Sequence, residues 1–210
     1  MAKLKAPLLS LGASGQLAKT LVFFGWKGLN VAREYVVPAN PKTASQVTQR
    51  GYVTAAVAAI HAAQAHAVHP LNETDQVAYS ALAAVKGIVM TWFNMAVKLW
   101  IDVKVAAKIP MIYHKVNFTD PTPASFDMSL QCSEEGAGVL AAGKFYFGTT
   151  KTNLIHSQAA EIDADSMVWI TDKDLSAFLT AGTKYYCQFR PDSGDDCEGA
   201  DSGIYHFVAL

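Results

Sequence analysis

Residues 183–190, Thr-Lys-Tyr185-Tyr-Cys187-Gln-Phe189-Arg190, alternate: Tyr185, Cys187 and Phe189 are separated by Tyr186, Gln188 and Arg190. A period of two belongs to an extended strand with one face buried and one wet. Residues 126–132 repeat the pattern, with Phe126, Met128, Leu130 and Cys132 set between Asp127, Ser129 and Gln131. Residues 144–149, 166–171 and 204–209 are further short runs of β-branched and aromatic residues between turn clusters. Strands of this length and spacing over about a hundred residues predict an antiparallel β-sandwich across residues 109–210.

Upstream of Pro110 the periodicity changes. Thr43-Ala-Ser-Gln46 fits a capping box, which predicts a helix over residues 44–68 with one Ala-rich face. His69-Pro-Leu-Asn72 interrupts it, and Asn72 or Thr74 is placed to cap a second helix over residues 73–107. Leu82, Val85, Val89, Trp92, Ala96, Leu99 and Val103 then follow at alternating intervals of three and four, the seam of a helical hairpin, with Trp92 and Trp100 as bulky partners.

The first forty residues read differently again. Residues 1–18 are small and Gly-rich, an extended arm. Residues 20–26 and 30–37 are strand-like and flank Lys27-Gly28-Leu29, a hairpin signal, until Pro38-Ala-Asn-Pro41 stops the second strand. On the first strand Val22, Phe24 and Trp26 point one way and Leu21 and Phe23 the other, so both faces are apolar. A two-stranded hairpin is marginal in water, and this one needs a cover on each side, from its own helices or from another chain.

The predicted class is therefore α+β: a β-hairpin arm and a long antiparallel helical hairpin, followed by an antiparallel β-sandwich. Charge divides the chain at the same place. Residues 1–108 hold 9 Lys and 2 Arg against 4 acidic residues, a net of +7; residues 109–210 hold 5 Lys and 1 Arg against 14 acidic residues, a net of −8. Two domains are expected, a basic one over 1–108 and an acidic one over 109–210. The basic half suits acidic neighbouring subunits better than nucleic acid, since the acidic half repels DNA. With 51% hydrophobic and 17% charged residues the chain is not a disordered one. No run of about 18 uninterrupted apolar residues exists for a membrane span, because Lys86, Asn94, Lys98 and Asp102 break the most apolar stretch. Lys3 and Lys5 precede only a short apolar run that Pro7 interrupts, a poor signal peptide.

Residues 179–185, Leu-Thr-Ala-Gly-Thr-Lys-Tyr, resemble the tyrosine-corner segment of fibronectin type III and immunoglobulin-like domains. The resemblance covers about residues 111–210. It implies an Ig-like sandwich in which the Tyr185 hydroxyl pins the turn into a late strand. Cys132 and Cys187 stand where the two core cysteines of immunoglobulin domains stand, either a cross-sheet disulfide or, in a particle assembled in the cytoplasm, a buried, reduced pair. No Trp lies near Cys132, a departure from that pattern. Lys19-Thr-Leu-Val-Phe-Phe-Gly-Trp26-Lys27-Gly28, with Arg33, Tyr35, Pro38, Pro41, Thr43, Gln46 and Arg50 after it, resembles the opening of uncharacterised proteins encoded among the virion genes of tailed bacteriophages. That resemblance covers about residues 10–60 and implies a virion or assembly role.

Candidate chemistry is sparse. Residues 13–20 approach a phosphate-binding loop through Lys19-Thr20, but Ala13 and Ala18 replace both glycines and a strand follows where a helix is required. His61, His66 and His69 cluster at the end of the first helix, near Glu73 and Asp75. A metal is one reading; a helix C-terminus favouring cationic side chains accounts for them more simply. Asp192, Asp195, Asp196, Glu198 and Asp201 crowd one loop with Gly194 and Gly199, which suggests calcium or, more economically, a solvated acidic loop. Carboxylates around Cys197 should raise its pKa and blunt its reactivity. No Ser–His–acid grouping and no paired carboxylates stand out.

These readings converge on a non-enzymatic structural protein of a phage particle (capsid decoration, neck or tail), with neither cofactor nor metal, acting by subunit packing as a homo-oligomer and with other virion proteins. Phe24, Trp26, Arg33, Tyr35 and Arg50 are the expected interface residues. The alternative is a binding module whose sandwich loops recognise a host surface or glycan. The expected location is the virion, assembled in the host cytoplasm, with no membrane contact.

Overall fold

The structure, a computed structural model, describes residues 2–4, 14–37, 39–119, 127–132, 140–162, 167–170 and 174–209. Phe126, Ser166 and Thr171, expected on strands, lie outside these residues, as do Pro38 and most of the Gly-rich arm. The class is α+β: the described residues form three helices and twelve strands in three antiparallel four-stranded sheets. The chain divides into two compact units, residues 1–44 and 45–210. The boundary expected at residue 108 is therefore not where the units part. The charge change at 108 marks a change of surface, while buried contacts run straight across it.

The first unit is one sheet, ordered β1-β4-β3-β2, of β1 (Ala2–Leu4), β2 (Gly15–Leu17), β3 (Leu21–Trp26) and β4 (Leu29–Glu34). Lys27 and Gly28, at φ +49° and +78°, form the two-residue turn between β3 and β4. Positive φ at both central positions matches the twist of the flanking strands, and Gly28 takes it without strain. The arm is not simply extended: β1 and β2 add strands to both sides of the hairpin.

The second unit begins with α1 (Ala44–Ala65), α2 (Glu73–Val85) and α3 (Trp92–Val105). The single helix expected over residues 73–107 is two. Gly87 (φ +67°) follows the C-cap Lys86; its N–H bonds the carbonyl of Ala84 and that of Ile88 bonds Ala83, so α2 closes in a Schellman motif. Thr91 caps α3 through Asn94 N–H at 3.3 Å. Val89, expected in a seam, sits in the connection and is fully exposed.

Two sheets follow, β5-β6-β10-β9 and β12-β11-β7-β8. Their strands are β5 (Tyr113–Thr119), β6 (Asp127–Cys132), β7 (Gly143–Gly148), β8 (His156–Ala159), β9 (Glu161–Ile162), β10 (Met167–Ile170), β11 (Lys184–Pro191) and β12 (Tyr205–Val208). Both sheets turn residues into one core. Met128, Leu130 and Cys132 of β6 and Val168 and Ile170 of β10 join Phe145, Phe147, Cys187, Phe189 and Phe207, capped by Ala78 and Val103 from the helices. A second core gathers Ile60, Tyr79, Leu82, Met95, Leu99 and Trp100 with Ile112 and Ile204, which directly precede β5 and β12, and with Tyr186 of β11 packed against it. Helices and sheets thus share both cores.

Asp75 joins them. In the capping box of α2 it accepts from Asn72 N–H at 2.9 Å, while Asn72 Oδ1 accepts from Asp75 N–H. The same carboxylate, fully buried, accepts from Lys115 N–H at 2.8 Å on β5 and from the Tyr205 hydroxyl at 3.0 Å on β12. Tyr79, one turn on, accepts from Tyr113 N–H at 3.1 Å and donates to its carbonyl at 3.0 Å. Gly203 is required beside them, since a Cβ there would stand 2.7 Å from that of Ala78. Asp75→Ala strands several buried donors and should cost about 3–5 kcal/mol, whereas Tyr205→Phe removes one bond and should cost about 1–2 kcal/mol, both read from urea denaturation midpoints.

Candidate functional site: an exposed apolar sheet

The sheet of residues 1–44 holds four of the five expected interface residues. Register assigns its faces, since directly paired residues point the same way. Val22 pairs with Arg33, Phe24 with Val31, and Trp26 with Leu29. These six share one face. Leu17 pairs with Leu21, and Phe23 with Ala32, on the other. Both faces are apolar, and among the described residues each carries exposed large side chains. Of the unit's residues with described side chains, Val31 alone is buried; Trp26 is 55% exposed, Leu17 49%, Leu29 46% and Leu21 41%. Phe24 is half-buried under the Arg33 guanidinium, 5.5 Å from the ring centroid, and Tyr35 is half-buried at the end of β4. Arg50 is exposed and stands on α1, in the other unit. Leu29 and Val31 extend the Phe24–Trp26 face and were not singled out in the sequence. Their alternation with Arg33 was the available signal.

Lys19-Thr20 lies in the turn between β2 and β3 rather than before a helix, and Thr20 bonds the Leu17 carbonyl through both N–H and Oγ1. His66 and His69, with ring centroids 5.7 Å apart, are joined by His114, whose ring lies 5.8 Å from that of His66. His61 instead neighbours Phe93 at 6.2 Å. Nothing in the sequence linked His114 to the others, since it lies on β5. His66 Nδ1 accepts from His69 N–H at 2.9 Å. Among the described residues no group of three or more His, Cys, Asp or Glu is arranged to hold a metal ion, and no helix is long and apolar enough to cross a membrane.

The acidic loop is tied both within itself and to residues 108, 141 and 142. Asp195 accepts from the N–H groups of Ala141, Ala142 and Cys197, and Glu198 from Gly194 N–H and the Ser193 hydroxyl. Lys108 Nζ donates to the Asp195 carbonyl at 2.7 Å and lies 3.7 Å from Glu198. Cys197 is buried, not solvated with the loop. Burial first, and then Asp195, push its thiol up to about 12. Cys132 and Cys187 are buried thiols in the core between the sheets, with no disulfide between them. The Tyr185 hydroxyl donates to the Phe178 carbonyl at 3.1 Å and accepts from Thr180 N–H at 2.9 Å.

No family model and no curated protein matches the chain. Among solved structures, HBP35 of Porphyromonas gingivalis is similar at a TM-score of 0.29 and 12% identity, over 63% of this chain; the chain spans 57% of that structure's length. A likeness this slight assigns neither fold nor function.

His114 is buried, and among the described residues its Nδ1 has no hydrogen-bond partner. Desolvation is the main cause that lowers its pKa to about 4; a hydrogen bond to the His69 backbone and the Asp75 charge oppose it, and the His66 and His69 imidazoles add to it. The unfolded chain then binds the extra proton between about pH 6.5 and 4, so stability falls as pH drops through that window and is level above it, by roughly 3 kcal/mol at most. His114→Gln should flatten this part of the stability–pH curve, measured by denaturation at stepped pH.

Proposed function

We propose that this chain is a non-enzymatic structural protein that works through subunit–subunit packing, a building block of a tailed-phage particle in a decoration, neck or tail position. The exposed two-faced sheet of residues 1–44 carries this reading. Each large apolar side chain on it gains about 1.5–3 kcal/mol when fully covered, and exposed apolar patches of this kind mark interaction surfaces. The particle assignment leans on the resemblance of residues 10–60 to virion-encoded proteins.

Charge suggests what covers the sheet. Residues 1–44 hold 5 Lys and 1 Arg against 1 Glu, a net of +5, while residues 45–210 carry a net of −6. A basic apolar sheet meeting the acidic body of an adjacent copy satisfies both terms, and electrostatic complementarity sets register and partner choice. In this reading Phe24 and Trp26 are the anchors, Tyr35 flanks them, and Arg33 and Arg50 meet acidic neighbours. The two-sheet body of residues 109–210 is read as an Ig-like sandwich with Tyr185 as its tyrosine corner, displayed outward from the assembly in the virion. The helical-hairpin part is a three-helix layer on that sandwich. Recognition by the loops is less favoured, because the Asp195 carboxylate is committed to the N–H groups of Ala141 and Ala142 and that of Glu198 to Gly194 N–H.

Light scattering of the purified protein across concentration and salt tests the proposal. Closed rings or larger assemblies are expected, weakening as salt screens the charges. A Phe24→Ser, Trp26→Ser double variant should lower the association constant at least tenfold. A strictly monomeric protein at every concentration would overturn self-packing.

A further inference from the structure

The outer face of sheet β5-β6-β10-β9 holds a recess of about 340 Å³, lined by His69, Lys115, Asn117, Ser129, Gln131 and Met167. Its size is at the small end of small-molecule sites. The lining has a definite chemistry. Lys115 supplies an ammonium, Asn117 and Gln131 carboxamides, Ser129 a hydroxyl and His69 an imidazole, while Met167 is the apolar contributor. Among the described residues no carboxylate lines it. Gln131 is buried at 9% exposure, so one polar side chain is built into the site rather than left waving at its rim.

The backbone is shaped to present Lys115. On β5, His114 pairs with Gln131 and Asn117 with Ser129, so Lys115 and Val116 together stand opposite Leu130 alone, in a β-bulge. Regular pairing would place Lys115 opposite Leu130, which faces the core. The bulge gives that inward place to Val116, which packs on the core, and leaves Lys115 exposed beside the recess. Lys115 itself adopts φ +54°, a left-handed conformation costly for a residue with a Cβ. The Asp75 carboxylate holds it there, accepting from Lys115 N–H at 2.8 Å and Val116 N–H at 3.4 Å.

We propose that this recess binds a small hydroxylated carboxylate of the sugar-acid class, with its carboxylate on Lys115 and its hydroxyls on Asn117, Ser129 and Gln131. A single cation suits one carboxylate. The neutral carboxamides and the hydroxyl both donate and accept, as vicinal hydroxyls require, and Met167 offers an apolar contact to the C–H face of a ring. The ligand is either a free sugar acid or the end of an acidic polysaccharide. This site is independent of the packing role of residues 1–44.

Saturation-transfer NMR on the full chain tests it, with D-glucuronate, a glucuronate-terminated disaccharide, D-glucose and inorganic phosphate as probes. Glucuronate is expected to bind and glucose to bind more weakly. Stronger transfer to the disaccharide would identify a polysaccharide end as the source, equal transfer a free acid. Lys115→Asn removes the charge while keeping a residue that tolerates the left-handed conformation. It should weaken glucuronate about tenfold and leave glucose unchanged. Asn117→Ala, at an exposed position, should weaken both sugars, and thermal melts of each variant check that it folds. No transfer to glucuronate, or transfer that neither variant alters, would overturn the proposal. So would phosphate displacing glucuronate while glucose fails to bind, which marks a plain anion site.

Discussion

The Asp75 carboxylate is the constraint on which the body of residues 45–210 depends. A buried carboxylate is costly unless every lone pair is used. Here it closes the α2 capping box, holds the β5 bulge at Lys115 and Val116, and takes the hydroxyl of Tyr205 from β12. Through one side chain the start of a helix is tied to both sheets. Tyr79 repeats the device a turn later at Tyr113, and the Ile204 N–H bonds the Ala78 carbonyl. Apolar packing supplies the bulk of the driving force, but it is non-directional. These bonds set the helix layer at one position on the sheets.

The N-terminal unit obeys a different logic. Its turns and register are well specified by Lys27-Gly28 and by cross-strand pairs, yet it has no buried core beyond Val31 among its described side chains. A sheet with two apolar faces has no solvent side to prefer. Adding β1 and β2 pairs both strands of the hairpin on their outer sides, while large apolar side chains on each face stay exposed among the described residues.

Local signals were legible wherever one residue decided the outcome. The alternation in residues 183–190 and 127–132 became β11 and β6, and Asn72 became the α2 cap. The helix break was equally legible in Gly87 and Thr91, but the seven-residue spacing through Val89 masked it, because a heptad pattern does not register a glycine that ends a helix. The short strands β8 and β9 escaped notice since His156–Ala159 and Glu161–Ile162 carry little periodicity. The boundary at residue 108 failed because net charge reports on surface, whereas units are defined by contacts such as Tyr79 with Tyr113.

By itself the sequence determined the elements with strong local chemistry: the alternating strands, the hairpin turn, the Asn72 helix cap and the two-faced apolar stretch at residues 20–26. Only the tertiary structure decided which polar groups meet. Asp75 and Tyr205 are 130 residues apart, and His66 and His114 are 48 apart. Lys115 reached the outer face because a bulge, held by a carboxylate forty residues away, exchanged its place with Val116. Periodicity is a property of neighbours along the chain. Partnership between buried polar groups is settled by packing, where each must find a specific donor or acceptor once water is gone.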